Sequence, residues 1–357
     1  MCVLKRAFLI PVLIFVAINL AFGVFAGLGR MGATTVYLTG FLHHGAIMVG
    51  GFLGTLIALE KIIPLKNRWL LAIPLTSAAS VVLLWMNHFF PGVSLLIIAS
   101  LGLCGIFLFY LFRHRELHLW LMFAGGIFLL IGNCVLLSRV LYPLALPWWI
   151  AFLLFIIVSE RLELSKFLPV TKTDKRLLVV MLGVFVVGIL VSFHAWGNYV
   201  SGIALVCIAV WLMRHDVIRI NLGKKGLTRF TGVALLSGYI SLLLTGIFFM
   251  ALPEIAYAYD AFVHMFFLGF VFSMIFAHGP IILPGVLGLM VKPYHRFLYV
   301  PLVLLHGSLM IRIGSDINLF DHSFRLPAGY LNALAILLYF VTLVTITIKS
   351  LRHAKSA

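Results

Sequence analysis

Apolar runs of about twenty residues recur along almost the whole chain, and that recurrence limits the fold more than any other feature. About 20 residues of α-helix cross a bilayer core roughly 30 Å thick. Twelve runs reach or approach that length: 8–28, 36–59, 69–87, 92–112, 118–138, 143–159, 177–194, 197–213, 230–251, 258–278, 295–314 and 327–348. In lipid each backbone polar group must be satisfied within the protein, so these runs are read as helices. Composition agrees: 63% of the 357 residues are hydrophobic and 10% are charged, with a mean hydropathy of +1.18. A soluble core cannot enclose so much apolar surface, which excludes a soluble enzyme, a disordered chain and a disulfide scaffold. The expected fold is all-α: a polytopic membrane protein of twelve transmembrane helices, forming a single transmembrane domain over residues 1–357.

The formal net charge of +16 (26 Lys and Arg against 10 Asp and Glu) would point to nucleic acid in a soluble protein. In a membrane protein, Lys and Arg concentrate in cytoplasmic loops. With the N-terminus placed inside, the termini and even-numbered connections hold 22 of the 26 basic residues. The odd connections hold only Arg30, Arg139, Arg312 and Arg325. Both termini are therefore expected in the cytoplasm, with the lipid bilayer as partner and no nucleic acid. The first run follows Lys5-Arg6 but is long and lacks a cleavage site, so it reads as a retained helix. The seventh and eighth runs meet at Ala195-Trp196, predicting a tight hairpin. Cys2, Cys104, Cys134 and Cys207 form no CxxC pair and suggest neither disulfides nor a thiolate metal site. The segment 279–293, with Pro280, Pro284 and Pro293, reads either as irregular backbone tucked under the bundle or as an interfacial loop.

Ionisable groups inside the bilayer are the default functional candidates. The ten carboxylates fall in loops or at helix ends, which counts against a proton or sodium transporter with a midplane acid. Histidines say more. At 1.5 Å per residue, His43 and His44 lie roughly 10–12 Å below the external boundary, His264 roughly 9 Å and His306 roughly 12 Å. Three non-consecutive helices thus carry imidazoles at one level in the outer half. Neutral imidazole ligates haem iron and copper. His43 shares a helix face with Ala46, Gly50 and Gly54, and His44 with Gly40, Met48 and Gly51, small residues that could leave room for a porphyrin. The same residues also serve close helix packing, and histidines also serve as interhelical hydrogen-bonding groups. Both readings stand at this point. His278 lies fourteen residues after His264, at the cytoplasmic boundary, where a helix-terminal or second-site role fits better than an inner haem. Arg312 and Arg139, on the external side, are candidates for pairing with haem propionates or for interfacial anchoring. Adjacent helical positions diverge by about 100°, so His43 and His44 should divide into one ligand and one supporting residue.

The stretches His43-His44-Gly45-Ala46-Ile47-Met48-Val49-Gly50-Gly51-Phe52 and His264-Met265-Phe266-Phe267-Leu268-Gly269-Phe270 resemble the NnrS family. Twelve helices with histidines on the second and tenth also resemble subunit I of the haem-copper oxidases. The resemblance implies a bacterial inner-membrane protein with a haem-copper oxidase subunit I-like bundle. It implies b-type haem, copper as a further metal, a redox partner, and nitric-oxide-related or respiratory redox physiology. Carried over, His43 or His44 with His264 would take the low-spin haem position, and His306 with the spare imidazole could hold copper. The metal candidates are thus His44, His264, His306 and His278. The chain departs from the oxidases: the sixth helix has no histidine and the seventh only His194 at its end, so oxygen reduction by the oxidase mechanism is not expected. A secondary transporter with structural histidines and an assembly scaffold for a respiratory complex are the alternatives.

Overall fold

The computed structural model describes residues 6–36, 38–164, 166, 168–251 and 257–356. Cys2, Lys5 and the acidic Glu254 lie outside the described residues, as do the side chains of Arg6, His194, His353 and Lys355. The described chain is helical, and no strand occurs among the described residues. The long helices are α1 (Arg6–Arg30), α2 (Thr39–Leu65), α3 (Arg68–Trp85), α4 (Phe89–His114), α5 (Leu117–Arg139) and α6 (Tyr142–Leu164). They are followed by α7 (Lys172–Leu190), α8 (Asn198–His215), α9 (Gly226–Ala251), α10 (Ala258–Val286), α11 (Arg296–Asp316) and α12 (Arg325–Ser356).

Eleven of these are long and apolar enough to cross a membrane. The exception is α7. Its first turn carries Lys172, Asp174, Lys175 and Arg176, and Thr171 and Asp174 close a capping box there. Only 177–190 is apolar, and the chain leaves the helix at Val191, earlier than the expected 194. The hairpin to α8 is present, turning through Ser192 at φ 78° and a kinked segment Phe193–Gly197.

The chain divides into two compact units. The first holds the described residues up to Ser159, with Val286–Leu289; the second holds Glu160–Gly285 and the residues from Met290 onward. In the first unit, α3 and α4 pack as neighbours, as do α4 and α5, and α2 lies against both α1 and α3. In the second, α8 packs along α9, α7 along α8, α11 along α12, and α9 along the middle of α10. Small residues set the closest approach. A Cβ added at Gly202 would meet the Gly246 carbonyl oxygen at 2.6 Å, and one added at Gly246 would meet the Gly202 carbonyl oxygen at 2.6 Å. This is the close helix contact that glycines permit in membranes.

The proline-rich segment after 278 is neither a loop nor irregular at its start. Helix α10 runs on through Pro280 and Pro284 to Val286. Pro280 has no N–H to give the Phe276 carbonyl oxygen, which would leave that acceptor stranded. The buried Tyr339 hydroxyl donates to it at 3.0 Å, and the Tyr339 ring stacks on Phe276 with centroids 3.8 Å apart. A side chain of α12 thus replaces the missing backbone donor, which is how prolines persist in membrane helices.

Candidate functional site

The two adjacent histidines of the first unit point to different neighbours, as their angular separation requires. A 3-10 turn, Thr39–His43, starts α2 and leaves His43 only 5% exposed. Its Nδ1 is hydrogen-bonded to the Tyr142 hydroxyl at 2.9 Å, and its ring lies 5.6 Å from that of Phe89. Asn87 is a polar side chain within reach, yet Nε2 is buried and makes no hydrogen bond. His44 instead turns toward α1. Its Nδ1–H donates to the Gly23 carbonyl oxygen at 2.7 Å, and its ring fills the space over Gly27, where a Cβ would come within 2.9 Å.

The small residues around these histidines do not leave an open face. Trp85 occupies the space at Gly40, Leu96 that at Gly50 and Val81 that at Gly51. A cavity of about 10 Å³, room for about one water, lies beside Gly50, Gly54, Ala58, Ser77 and Asn133, far below the roughly 300 Å³ at which ligand pockets begin. Close packing therefore accounts for these glycines, and room for a porphyrin below His43 does not follow from them.

In the second unit, His264 belongs to a charged cluster. Its Nδ1–H donates to the Asp260 carbonyl oxygen at 2.9 Å and lies 3.2 Å from Asp260 Oδ1. Asp260 Oδ2 accepts from Arg312 Nε at 3.1 Å and Nη2 at 2.8 Å. Arg325 Nη2 approaches the same oxygen at 3.5 Å, while Arg325 Nε donates to Asp316 Oδ1 at 2.5 Å. The Arg325 guanidinium also lies 3.9 Å above the Tyr257 ring. Arg312 is thus engaged by Asp260, and Arg139 is an exposed residue ending α5.

The other two candidate histidines, His306 and His278, are tied into their surroundings. Ser273 donates its hydroxyl proton to the Gly269 carbonyl oxygen at 2.6 Å, so its lone pair accepts from His306 Nε2–H at 2.9 Å. Nε2 of His306 is thereby a donor in this arrangement. His278 Nδ1–H donates to the Met274 carbonyl oxygen one turn back at 2.7 Å. Among the described residues, no three His, Cys, Asp or Glu side chains group to hold a metal ion. Cys104, Cys134 and Cys207 are free thiols.

Two features were hidden from the sequence. Backbone of π-helical form runs over Ile47–Gly54, soon after His43 and His44, and again over Met265–Val271, directly after His264. Such segments are rare and concentrate at functional sites. The second feature is burial of carboxylates that sequence position assigns to helix ends: Asp316 is 0% exposed and Asp216 4%. Both do end helices, but tertiary packing encloses them.

No curated protein and no solved structure matches the chain. One family does match, over residues 9–348. With a match over nearly its whole length, this polytopic helical membrane protein belongs to the family described as a domain of unknown function (DUF8744).

Proposed function

We propose that this chain is a haem-binding, NnrS-like protein of the bacterial inner membrane, acting in nitric-oxide-related or respiratory redox physiology with a redox partner. The observation that carries the reading is His43. Its Nδ1 is fixed by Tyr142 while Nε2 is buried with no hydrogen bond. An imidazole oriented through one nitrogen by a second group is the usual state of a ligating histidine. His43 is the candidate axial ligand of the first unit and His44 the supporting residue. In the second unit His264, oriented through Nδ1 by Asp260 and backed by Arg312, is the corresponding candidate. Haem, when bound, would supply one-electron redox chemistry or a site for a diatomic gas. The chain's own contribution is to orient the two imidazoles and exclude water around them. A copper ion remains part of the proposal only through imidazole nitrogens, since the described cysteines do not converge.

The arrangement proposed is an oxidase subunit I-like bundle of twelve spans with both termini in the cytoplasm. For this α7 must cross with fourteen apolar residues, about 21 Å, while Lys172, Lys175 and Arg176 reach to the headgroups.

The visible spectrum and metal content of the protein, purified in detergent from haem-replete cells, test the reading. A Soret band is expected in the wild type and in His44→Ala, with its loss or shift in His43→Ala. A wild-type protein without haem refutes the haem assignment. The second reading, a secondary transporter, draws on the burial of Asp216 and Asp316; it expects no Soret band and substrate counterflow in proteoliposomes.

A further inference from the structure

Three side chains that the redox reading does not use meet inside the second unit. Arg161, near the end of α6, is 4% exposed; Asp216, just past α8, is 4% exposed; Tyr239, midway along α9, is fully buried. The Tyr239 hydroxyl donates to Asp216 Oδ2, and the Arg161 guanidinium interacts with the same hydroxyl. Tyr239 therefore touches both charges. Their remaining valences are open. Nε and Nη1 of Arg161 and Oδ1 of Asp216 are buried with no hydrogen-bond partner. A buried charged group left unsatisfied is costly enough that native proteins seldom keep one without a compensating partner.

The donor and acceptor pattern narrows what can complete this site. Arg161 offers N–H donors on two nitrogens, Nε and Nη1, and a positive charge, so it calls for an oxoanion. Asp216 offers one acceptor and a negative charge, so it calls for a cationic donor. A halide, nitrate or sulfate satisfies only the first demand, and a simple ammonium only the second. A molecule carrying both groups satisfies both and mirrors the charge pattern of the site. We infer that Arg161, Asp216 and Tyr239 bind a zwitterion, with its oxoanion on Arg161 and its protonated amine on Asp216. The last turn of α8, the connection after it and the first turn of α9 carry Arg214, Arg219, Lys224, Lys225 and Arg229, a positive surround that draws anionic groups toward this end of the helices. Two sources present this chemistry: the phosphoethanolamine headgroup of a lipid, and a free amino acid.

Thermal unfolding of the full chain, delipidated in detergent, tests the inference without reference to haem. The soluble probes are glycine and phosphoethanolamine. Acetate and methylammonium each supply half of the ligand, and glycine betaine keeps both charges but has no N–H. The lipid probes are vesicles of phosphatidylethanolamine and of phosphatidylcholine, which differ in the same N–H groups. A free-ligand site raises the melting temperature with glycine or phosphoethanolamine and not with the three controls. A lipid site raises it in phosphatidylethanolamine over phosphatidylcholine vesicles, with no response to the soluble probes. In either case Asp216→Asn and Arg161→Gln should raise the concentration or lipid fraction needed by at least tenfold. Where Arg161→Gln does not fold, Arg161→Lys, which keeps the charge and loses the planar fork, takes its place. Equal responses to zwitterion and controls, no response to either source, or an undiminished response in both variants would overturn the assignment.

Discussion

Replacing Arg312 by Met keeps the length of the side chain and removes the guanidinium, and its cost can be worked from the cluster around Asp260. Arg312 donates two charge-assisted hydrogen bonds to Asp260 Oδ2, at 3.1 and 2.8 Å, from a side chain only 7% exposed. Removing one partner of a buried pair costs about 3–5 kcal/mol, mostly because the other charge is left stranded. Two observations lower that figure here. The Asp260 side chain is 27% exposed, so water takes up part of its charge, and Arg325 Nη2 remains 3.5 Å from the same oxygen. About 2–3 kcal/mol follows for Arg312→Met. Asp260→Asn should cost a similar amount, because it strands the less exposed Arg312. The double variant strands neither group, so the single effects should exceed the double by at least about 1 kcal/mol. Reversible unfolding in mixed detergent micelles, followed by circular dichroism, measures all three. Single effects that add to within about 0.5 kcal/mol would show that Arg312 does not act through Asp260 and refute the reasoning. Were Arg312 a propionate partner, Arg312→Met would shift the haem spectrum in addition to lowering stability.

Two further perturbations probe the packing of the second unit. Gly202→Ala places a Cβ against the Gly246 carbonyl oxygen; separation of α8 from α9 should cost about 1–3 kcal/mol in the same unfolding assay, and a wild-type curve would show that this contact is looser than described. Tyr339→Phe strands the Phe276 carbonyl oxygen that Pro280 leaves without a backbone donor. It should cost about 1–3 kcal/mol, with recovery in the double variant carrying Pro280→Ala, since alanine supplies the missing N–H; no recovery would detach the hydroxyl from the proline.

The helices were legible because lipid imposes length and apolarity together, and eleven of the twelve expected runs are membrane-length apolar helices. The seventh shows where the rule thins: charge in the first turn of α7 shortens its apolar stretch without ending the helix. The depths of His43 and His44 assume a regular α-helix from Val36, whereas the helix begins with a 3-10 turn at Thr39; the π-helical stretches Ile47–Gly54 and Met265–Val271, which follow the histidines, are a further feature that apolar composition does not encode. The glycines under His43 were ambiguous for another reason. Spacing reveals a smooth face, but only the partner helix decides whether Leu96 and Val81 fill it. Asp316 ends a helix, and chain position carries no information on whether neighbouring elements cover that end, as they do here. The anchoring of His43 by Tyr142 spans 99 positions, so no local pattern could announce it.

The first π-helical segment has a physical cause that can be tested. A helix that bonds i to i+5 departs from the usual ladder and needs tertiary contacts to hold it. Here three side chains hold its carbonyl oxygens. Ser77 of α3 donates to Gly50 at 2.8 Å, Asn19 of α1 donates to Gly51 at 2.8 Å, and Thr55 donates to the same Gly51 oxygen at 2.6 Å. Lacking a Cβ, Gly51 lets Val81 of α3 come close and Gly50 lets Leu96 of α4 do so. Asn19, 2% exposed, is the most informative of the three, since it lies on a separate helix and has no other hydrogen-bonded role in view. Asn19→Leu keeps the volume and removes the donor. Interhelical hydrogen bonds in membranes contribute about 0.6 kcal/mol on average and up to about 1.7, so the global loss should be about 1 kcal/mol. The local effect should be larger. Without the clamp, residues 47–54 can return toward i to i+4 bonding, which rotates His43 and His44 relative to Thr55 and the turns that follow it. Hydrogen exchange should therefore accelerate over 47–54 in the variant while α4 and α5 keep their protection. Unchanged exchange across 47–54, with Asn19→Leu folded, would mean that the π form is held by its own sequence and not by the clamp from α1.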